Sequence, residues 1–173
     1  ETAFEDCRIP AVQKVGETGK GLSVALQVIN HGRVLLAASA TGLAQRLLTE
    51  SANYARMRVQ FGKPIAAFQA IQFMLADMAT EVDAARLLVH RAAWLAKNGE
   101  FKNAEGSMAK MKAGRTATWV TERAIQILGG YGYTREYPVE RWHRDAKIMD
   151  IFEGTEQIQQ LVISRAISGM RVE

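Results

Sequence analysis

The chain has 173 residues, of which 48% are hydrophobic and 23% are charged, so it is long enough for one domain with its own core. A formal net charge of +4 could attract an anionic partner, but the lysines and arginines are dispersed and form no basic run. We therefore expect a mixed, solvated surface and no nucleic-acid partner. No apolar run approaches the roughly 18 residues that a membrane span needs.

Cysteine and histidine placement excludes several kinds of site. The single cysteine, Cys7, forms no internal disulfide and fits a reducing compartment, cytoplasmic in a bacterium or the mitochondrial matrix in a eukaryote. His31, His90 and His143 fall on different predicted helices without metal-ligand spacing, so we predict no metal site. The chain does not begin with Met, and we expect it to be the C-terminal part of a longer protein.

Residues 1–20 differ in pattern from the rest of the chain. FEDCRIP can form a short strand that Pro10 stops, and QKVGETGKG is a glycine-rich loop. We interpret residues 1–20 as the end of a preceding β-domain and its linker, with a plain N-terminal arm as the alternative. Residues 21–173 carry helical periodicity and form the second predicted domain.

Three long helices are predicted next. Apolar residues at three- and four-residue steps predict the first from Leu22 to about Ala55, with Gly42 marking close packing against another helix. FGKP breaks that helix, because Pro64 cannot continue it. The second helix, from about Ala66 to Lys97, carries apolar side chains on several faces, so we expect it to be covered on more than one side. The third runs from about Asn103 to Leu128 and ends at two glycines.

Two shorter helices complete the predicted fold. One covers about Val139 to Ala146 after Pro138, and the last covers about Thr155 to Ser168. Short connections between long helices make neighbouring helices antiparallel. The sequence therefore predicts an all-α fold, an up-down four-helix bundle, with a short N-terminal remnant of a preceding β-domain.

The segment IFEGTEQIQ, residues 151–159, places one carboxylate in a turn ahead of a helix. Glu153 could act as a general base, with Gly154 giving the turn its backbone freedom and Thr155 capping the helix. The alternative is a carboxylate at a helix entry that only interacts favourably with the positive end of the helix dipole. Taken alone, these residues favour that alternative. Arg33, among apolar residues, either has an anionic partner, such as a substrate group or Glu153, or extends to the surface.

Two further segments admit a structural and a functional interpretation. The glycines of ILGGYGY, residues 127–133, could approach a pyrophosphate closely, or they could only cap a helix. In RVQFGKPI, residues 58–65, Arg58 or Lys63 could bind phosphate and Phe61 could stack on a planar ring. The alternative for that segment is an ordinary basic turn between helices.

In their order along the chain, these motifs resemble the C-terminal helical domain of the acyl-CoA dehydrogenase family. The resemblance covers nearly the whole chain. ETAFEDCRIPA and GETGKG are similar to the exit of that family's middle β-domain. The family's successive signature segments are similar to INHGR, RVQFGKPIAAFQAIQFMLADMA, QILGGYGYTREYPVERWHRDAKI and IFEGTEQIQ.

The resemblance implies a flavoenzyme that oxidises an acyl-CoA thioester to the trans-2-enoyl-CoA. Glu153 would be the catalytic base that removes the α-proton, while hydride passes to FAD. The implied partners are the acyl-CoA substrate, an electron-transfer flavoprotein and further copies of the chain, typically in a dimer of dimers. Two alternatives stay open: an acyl-CoA oxidase that uses O₂, and a non-dehydrogenating DNA- or ligand-binding protein on the same scaffold.

The resemblance also implies which residues contact the two ligands. The backbone N–H of Glu153 would hold the thioester oxygen together with a flavin hydroxyl, and residues 58–61 would contact the FAD of a neighbouring subunit. The implied substrate contacts are Asn30, His31, Gly32, Arg33 and Gly154. The implied FAD contacts are Arg58, Val59, Gln60, Phe61, Phe68, Gln69, Gln126, Ile127, Leu128, Gly129, Gly130, Thr155, Glu156 and Gln157.

Two positions depart from the pattern of other family members. Asn30 stands where several relatives carry Asp. Gly32 stands where isovaleryl- and long-chain-type members carry their catalytic Glu, which removes a rival base and favours Glu153 in a short-, medium- or branched-chain-type member. Because absent domains would complete the ligand pocket, we expect the 173-residue chain alone to fold but to hold FAD poorly and to turn over little.

Overall fold

The computed structural model describes residues 2–170, within which the chain forms six α-helices and one small β-hairpin. The predicted all-α bundle is confirmed. The predicted domain limits at Glu1 and Glu173 lie outside the described residues. Helix α1, Gly21–Met57, has the length of more than thirty residues that its apolar spacing predicted.

The break after α1 is a β-hairpin, which was not predicted from the sequence. Strand β1, Val59–Gln60, pairs antiparallel with β2, Lys63–Pro64. Phe61 and Gly62 form the turn with φ of 52° and 79°. Two successive positive φ values match the right-handed twist of the flanking strands, which is why a two-residue loop closes this hairpin.

The next two helices follow the predicted pattern closely. Helix α2, Gln69–Lys97, begins three residues later than predicted because a 3-10 turn, Ile65–Ala67, comes first. Helix α3, Asn103–Leu128, has the predicted bounds and ends at Gly129, whose φ is 61°. The buried stripe predicted for α2 is confirmed at Met78, Val82, Ala85, Val89 and Ala92.

Three helices form the last part of the described chain. Helix α4, Gly130–Tyr133, is a single turn that was not predicted. Helix α5, Val139–Ile151, extends five residues beyond the predicted end, with Met149 packed against the core. Helix α6, Glu156–Ser168, begins directly after its N-cap Thr155, whose hydroxyl accepts a hydrogen bond from the Ile158 N–H at 3.4 Å.

Helix α3 is central to the bundle and packs against α1, α2, α5 and α6. Small side chains at the helix contacts let the backbones approach closely, as at Gly114, where an added Cβ would lie 3.3 Å from the Asp150 Cα. Gly106, near the start of α3, lies against Asn30 in the first half of α1, and Ile127 and Leu128, at the end of α3, lie near Tyr54 at the end of α1. The core residues that α3 contributes are Ala109, Ala113, Ala117, Val120, Ala124, Ile127 and Leu128.

Two local expectations were wrong. Residues 4–10 form no strand and are exposed, because a strand needs a neighbour with which to share backbone hydrogen bonds, and residues 2–170 offer none at that point. Gly42 does not mark close packing, since it is exposed and a Cβ there would meet no atom within 4 Å.

The outer face of α2 carries an exposed apolar strip. Phe73, Leu87 and Trp94 are 62%, 62% and 58% exposed, and they share one face because they are spaced in multiples of seven residues. We predicted that α2 packs against other elements on more than one side, but within residues 2–170 nothing covers this outer face. None of the helices in residues 2–170 is both long and apolar enough to cross a bilayer.

Candidate active site

The turn between α5 and α6 has an unusual backbone. Glu153 has a φ of 56°, and Gly154 follows with a φ of 98°. The left-handed region is costly for a residue with a Cβ, by about 1–2 kcal/mol, and such residues persist only where surrounding contacts hold them. Gly154 therefore uses the backbone freedom that was predicted for it. Glu153, which has a side chain, needs contacts with other residues to hold its left-handed backbone conformation.

The Glu153 carboxylate lies against the helix face of Gly32 on α1. A Cβ on Gly32 would lie 3.0 Å from Oε1 and 3.1 Å from Oε2. Among residues 2–170 the carboxylate forms no hydrogen bond or ion pair, and the backbone N–H of Glu153 has no acceptor. Glu153 is exposed, so its unpartnered carboxylate can meet a ligand.

Arg33 contacts Glu153 in a different way from either predicted alternative. It is only 8% exposed, so it does not extend to the surface. Its Nε donates to the main-chain oxygen of Glu153 at 3.3 Å, and a terminal nitrogen donates to the Ser107 hydroxyl at 3.3 Å. Burial lowers the pKa of Arg33, and the negative charge of Glu153 opposes that shift. Arg33 thus supports the turn through its backbone.

Two buried side chains that were not singled out from the sequence hold the same turn. Lys110, on α3, is 1% exposed, and its Nζ donates to the main-chain oxygens of Asp150 at 3.0 Å and Gly154 at 2.8 Å. Gln159, on α6, is fully buried and donates to the oxygens of Glu153 at 3.3 Å and Gly154 at 2.8 Å. A sequence signal existed for Lys110, which keeps the three- and four-residue spacing of the buried alanines of α3.

The other implied substrate contacts on α1, Asn30 and His31, directly precede Gly32 and lie within one turn of it. Asn30 is buried against Gly106 of α3, where an added Cβ would lie 3.0 Å from the Asn30 main-chain oxygen. His31 is exposed, and its ring centre lies 5.2 Å from that of Phe101. The structure therefore brings all five implied substrate residues, Asn30 to Arg33 and Gly154, to one end of the bundle.

A second group of implied residues surrounds a cavity of about 510 Å³ beside the hairpin. Arg58 and Gln60 line it from the end of α1 and β1, and residues 127–130 line it from the end of α3. Glu136 adds a carboxylate to its wall. Five other implied FAD contacts do not line this cavity: Val59, Phe61, Phe68, Gln69 and Gln126. The rings of Phe61 and Phe68 nevertheless contact each other edge to face, with their centroids 6.1 Å apart.

A third group lies at the N-terminus of α6, beside Glu153. Thr155 caps the helix, Glu156 forms an ion pair with Arg115 of α3, and Gln157 is exposed. Arg33 in α1 and Arg58, which directly follows α1, are twenty-five residues apart, or about 37 Å at 1.5 Å per residue. The third group and the cavity therefore lie toward opposite ends of the bundle.

No group of three or more His, Cys, Asp or Glu side chains in residues 2–170 is arranged to hold a metal ion. The site is instead a carboxylate on a strained turn, held from behind by three buried donors and facing a helix position that lacks a side chain.

The chain is thus a helical domain that presents an unpartnered carboxylate at one end of the bundle and lines a separate cavity toward the other end. The chain belongs to the acyl-CoA dehydrogenase family, since residues 19–168 match the family model for the acyl-CoA dehydrogenase C-terminal domain.

Individual relatives agree with that assignment. The chain is 46% identical over 167 residues to acryloyl-CoA reductase (NADH) of Anaerotignum propionicum, covering 96% of this chain and 42% of that protein. It is 49% identical over 161 residues to human mitochondrial short-chain specific acyl-CoA dehydrogenase, covering 93% and 39%. Butyryl-CoA dehydrogenase from Megasphaera elsdenii superimposes with a TM-score of 0.94 at 44% identity, covering 95% of this chain and 43% of that one. The chain thus spans about two-fifths of these relatives.

Proposed function

We propose that the protein containing this domain oxidises an acyl-CoA thioester to the trans-2-enoyl-CoA, with Glu153 as the base that takes the α-proton. The observation that carries the proposal is the free Glu153 carboxylate, held on a positive-φ turn with room made by Gly32. An α-proton beside a thioester is weakly acidic, so its removal needs a base in place and stabilisation of the developing oxyanion. The unbonded N–H of Glu153 is one donor for that oxyanion.

FAD is the cofactor that we propose, and the cavity beside the hairpin fits part of it. Arg58 supplies a cation, and the backbone of Gly129 and Gly130 can approach a diphosphate closely because it carries no side chain. Bound FAD would supply a hydride acceptor for the substrate β-hydrogen. Electrons would then pass to an electron-transfer flavoprotein.

We further propose that the domain works as part of a homo-oligomer. The cavity, beside Arg58, and the start of α6, beside Arg33, lie toward opposite ends of the bundle, about 37 Å apart at 1.5 Å per residue. Two copies of the chain would then share each FAD, one supplying residues 58–61 and 127–130 and the other Thr155 to Gln157. The exposed strip of Phe73, Leu87 and Trp94 offers apolar area for contact between copies.

A charge in that strip should break the oligomer. Leu87→Glu is expected to shift the purified full-length protein to a smaller assembly, because a desolvated carboxylate without a partner opposes burial of the strip. Light scattering after size-exclusion chromatography measures the mass. Asp83→Glu, an exposed change one turn away on α2, is the control. An unchanged mass for Leu87→Glu would place the contact between copies elsewhere.

The proposed activity is tested on the full-length protein with a panel of acyl-CoA thioesters. Anaerobic bleaching of the flavin absorbance reports oxidation of the substrate. We expect bleaching with at least one saturated thioester and little H₂O₂ on turnover in air, which separates a dehydrogenase from an acyl-CoA oxidase. Absence of bleaching across the panel, together with salt-sensitive binding to duplex DNA, would favour the non-dehydrogenating alternative.

Reduction of a 2-enoyl-CoA is a second candidate direction. One relative at 46% identity is named acryloyl-CoA reductase (NADH). The same carboxylate can serve either direction, because a base that removes the α-proton from a saturated thioester returns it in the reverse reaction. NADH-dependent loss of an enoyl-CoA in the presence of the flavoprotein partner would identify the reductive direction.

Filling the space at Gly32 is expected to slow the reaction without harming the fold. Gly32→Ala should lower the rate of flavin bleaching about tenfold, because a Cβ 3.0 Å from the carboxylate displaces the base from its substrate. Alanine also raises helix propensity, by about 1 kcal/mol. Thermal unfolding should therefore show equal or greater stability beside the lower rate. A bleaching rate equal to that of the wild type would contradict the packing of Glu153 on Gly32.

A further inference from the structure

Lys110 is the largest fully buried side chain in the described part of the domain. It makes no ion pair within four ångströms in residues 2–170, and its ammonium donates only to main-chain oxygens there. The two acceptors are Asp150, in the last turn of α5, and Gly154, just before α6. One cation from α3 thus ties together both sides of the Glu153 turn.

A cation in this position is costly to bury. Desolvation lowers the pKa of Lys110, and the nearby charge of Asp150 opposes that shift. A methionine of similar length would fill the same space without the cost of desolvation. The ammonium therefore contributes its two hydrogen bonds to main-chain oxygens, which packing alone does not supply.

The contact with Asp150 satisfies a carbonyl that helix α5 leaves open. The last four carbonyls of an α-helix lack partners within the helix, and its C-terminus carries partial negative charge that favours a cation. The contact with Gly154 fixes the peptide unit between Gly154 and Thr155, which lies one residue after Glu153. Since the Glu153 carboxylate forms no bond of its own in residues 2–170, its direction depends on the backbone of this turn.

We propose that Lys110 is a positioning residue for Glu153, holding the strained turn in the conformation that aims the carboxylate and the N–H of Glu153 at the thioester. Lys110 touches neither substrate nor cofactor in this role. It acts together with Arg33 and Gln159, which hold the Glu153 main-chain oxygen from α1 and α6. The proposal rests on the proposed function of Glu153 as the base.

The test uses full-length holoenzyme carrying Lys110→Met. The readout is exchange of the substrate α-proton with deuterated solvent, which reports the base directly, alongside the dissociation constants of FAD and of a thioester ligand. We expect exchange to slow about 10- to 100-fold, as for a misplaced reacting group. Both dissociation constants should stay within about threefold of wild type, since ligand contacts are kept.

Lys112→Met is the matched control. Lys112 lies on the same helix, but its ammonium pairs with Glu81 of α2, away from the turn. We expect wild-type exchange from it. Lys110→Gln keeps an amide donor on a side chain one atom shorter, so its exchange rate should fall between those of Lys110→Met and wild type.

Three results would overturn the positioning role. One is wild-type exchange in whichever of Lys110→Met and Lys110→Gln folds. Another is a slower exchange that is matched by equally weakened binding of FAD and of the thioester, because weaker binding would then account for the whole effect. The third is failure of both variants to fold, which would make Lys110 a structural residue only. If the wild-type protein exchanges no α-proton, the proposed function itself fails. If the wild type exchanges the α-proton and Glu153→Gln does not, Glu153 is the base, and the Lys110 variants then test the positioning role separately.

Discussion

Glu153→Gln is expected to lower the rate of flavin bleaching by about 10²- to 10⁴-fold in the full-length protein, the usual contribution of a general base. The amide keeps the shape of the side chain but cannot accept the α-proton. The rest of the site should persist, because Arg33 and Gln159 hold the main-chain oxygen of Glu153 rather than its carboxylate. FAD content and thermal unfolding should therefore match the wild type.

The control for this prediction is Glu122→Gln. Glu122 is exposed on α3, outside the turn and the cavity, so removal of its charge should leave bleaching unchanged. Normal bleaching by Glu153→Gln would remove Glu153 from the mechanism. Loss of bleaching with loss of FAD would instead make the residue part of the cofactor site.

The largest effect on stability is expected from Gly132→Ala. Gly132 is buried in α4, where an added Cβ would lie 2.7 Å from the Ile125 main-chain oxygen and 2.9 Å from the Ile125 Cα. Neither is the free end of a flexible side chain, so the backbone must move. We expect a loss of about 1–3 kcal/mol in the free energy of unfolding, the range for overpacked cores.

Gly42→Ala provides a matched control with the opposite sign. The α1 position at Gly42 is exposed with no atom within 4 Å of an added Cβ, so alanine should stabilise the helix by about 1 kcal/mol. Urea unfolding of both variants measures the two changes. Equal stability of Gly132→Ala and wild type would mean that α4 can shift away from α3 without loss.

The lengths of the long helices could be predicted because they depend on local pattern. Apolar spacing predicted α1 and α2, and two glycines marked the end of α3 at Leu128. The hairpin after α1 was missed because a strand of two residues, such as Val59–Gln60, carries no periodic signal. The strand expected in residues 4–10 failed for the complementary reason, since pairing depends on a neighbour that a local pattern does not contain.

The candidate site divides in the same way. Glu153 in a turn, Gly154 beside it and Thr155 as the N-cap could all be identified from one short segment. For Arg33, burial beside an anionic partner was one of two alternatives, and its contact with a main-chain oxygen was not predicted. Lys110 was overlooked, since a lysine in a buried stripe has no evident purpose until the carbonyls that it holds are known.

The sequence by itself determined the long helices, the N-cap of α6 and the presence of a carboxylate in a turn, because these follow from interactions over a few residues. Only the tertiary structure decided that α1, α3 and α6 each send a donor to the backbone of that turn, and that Gly32 faces the carboxylate. The physical reason is that these contacts join residues tens of positions apart. Their geometry depends on how the helices pack, and no local pattern encodes it.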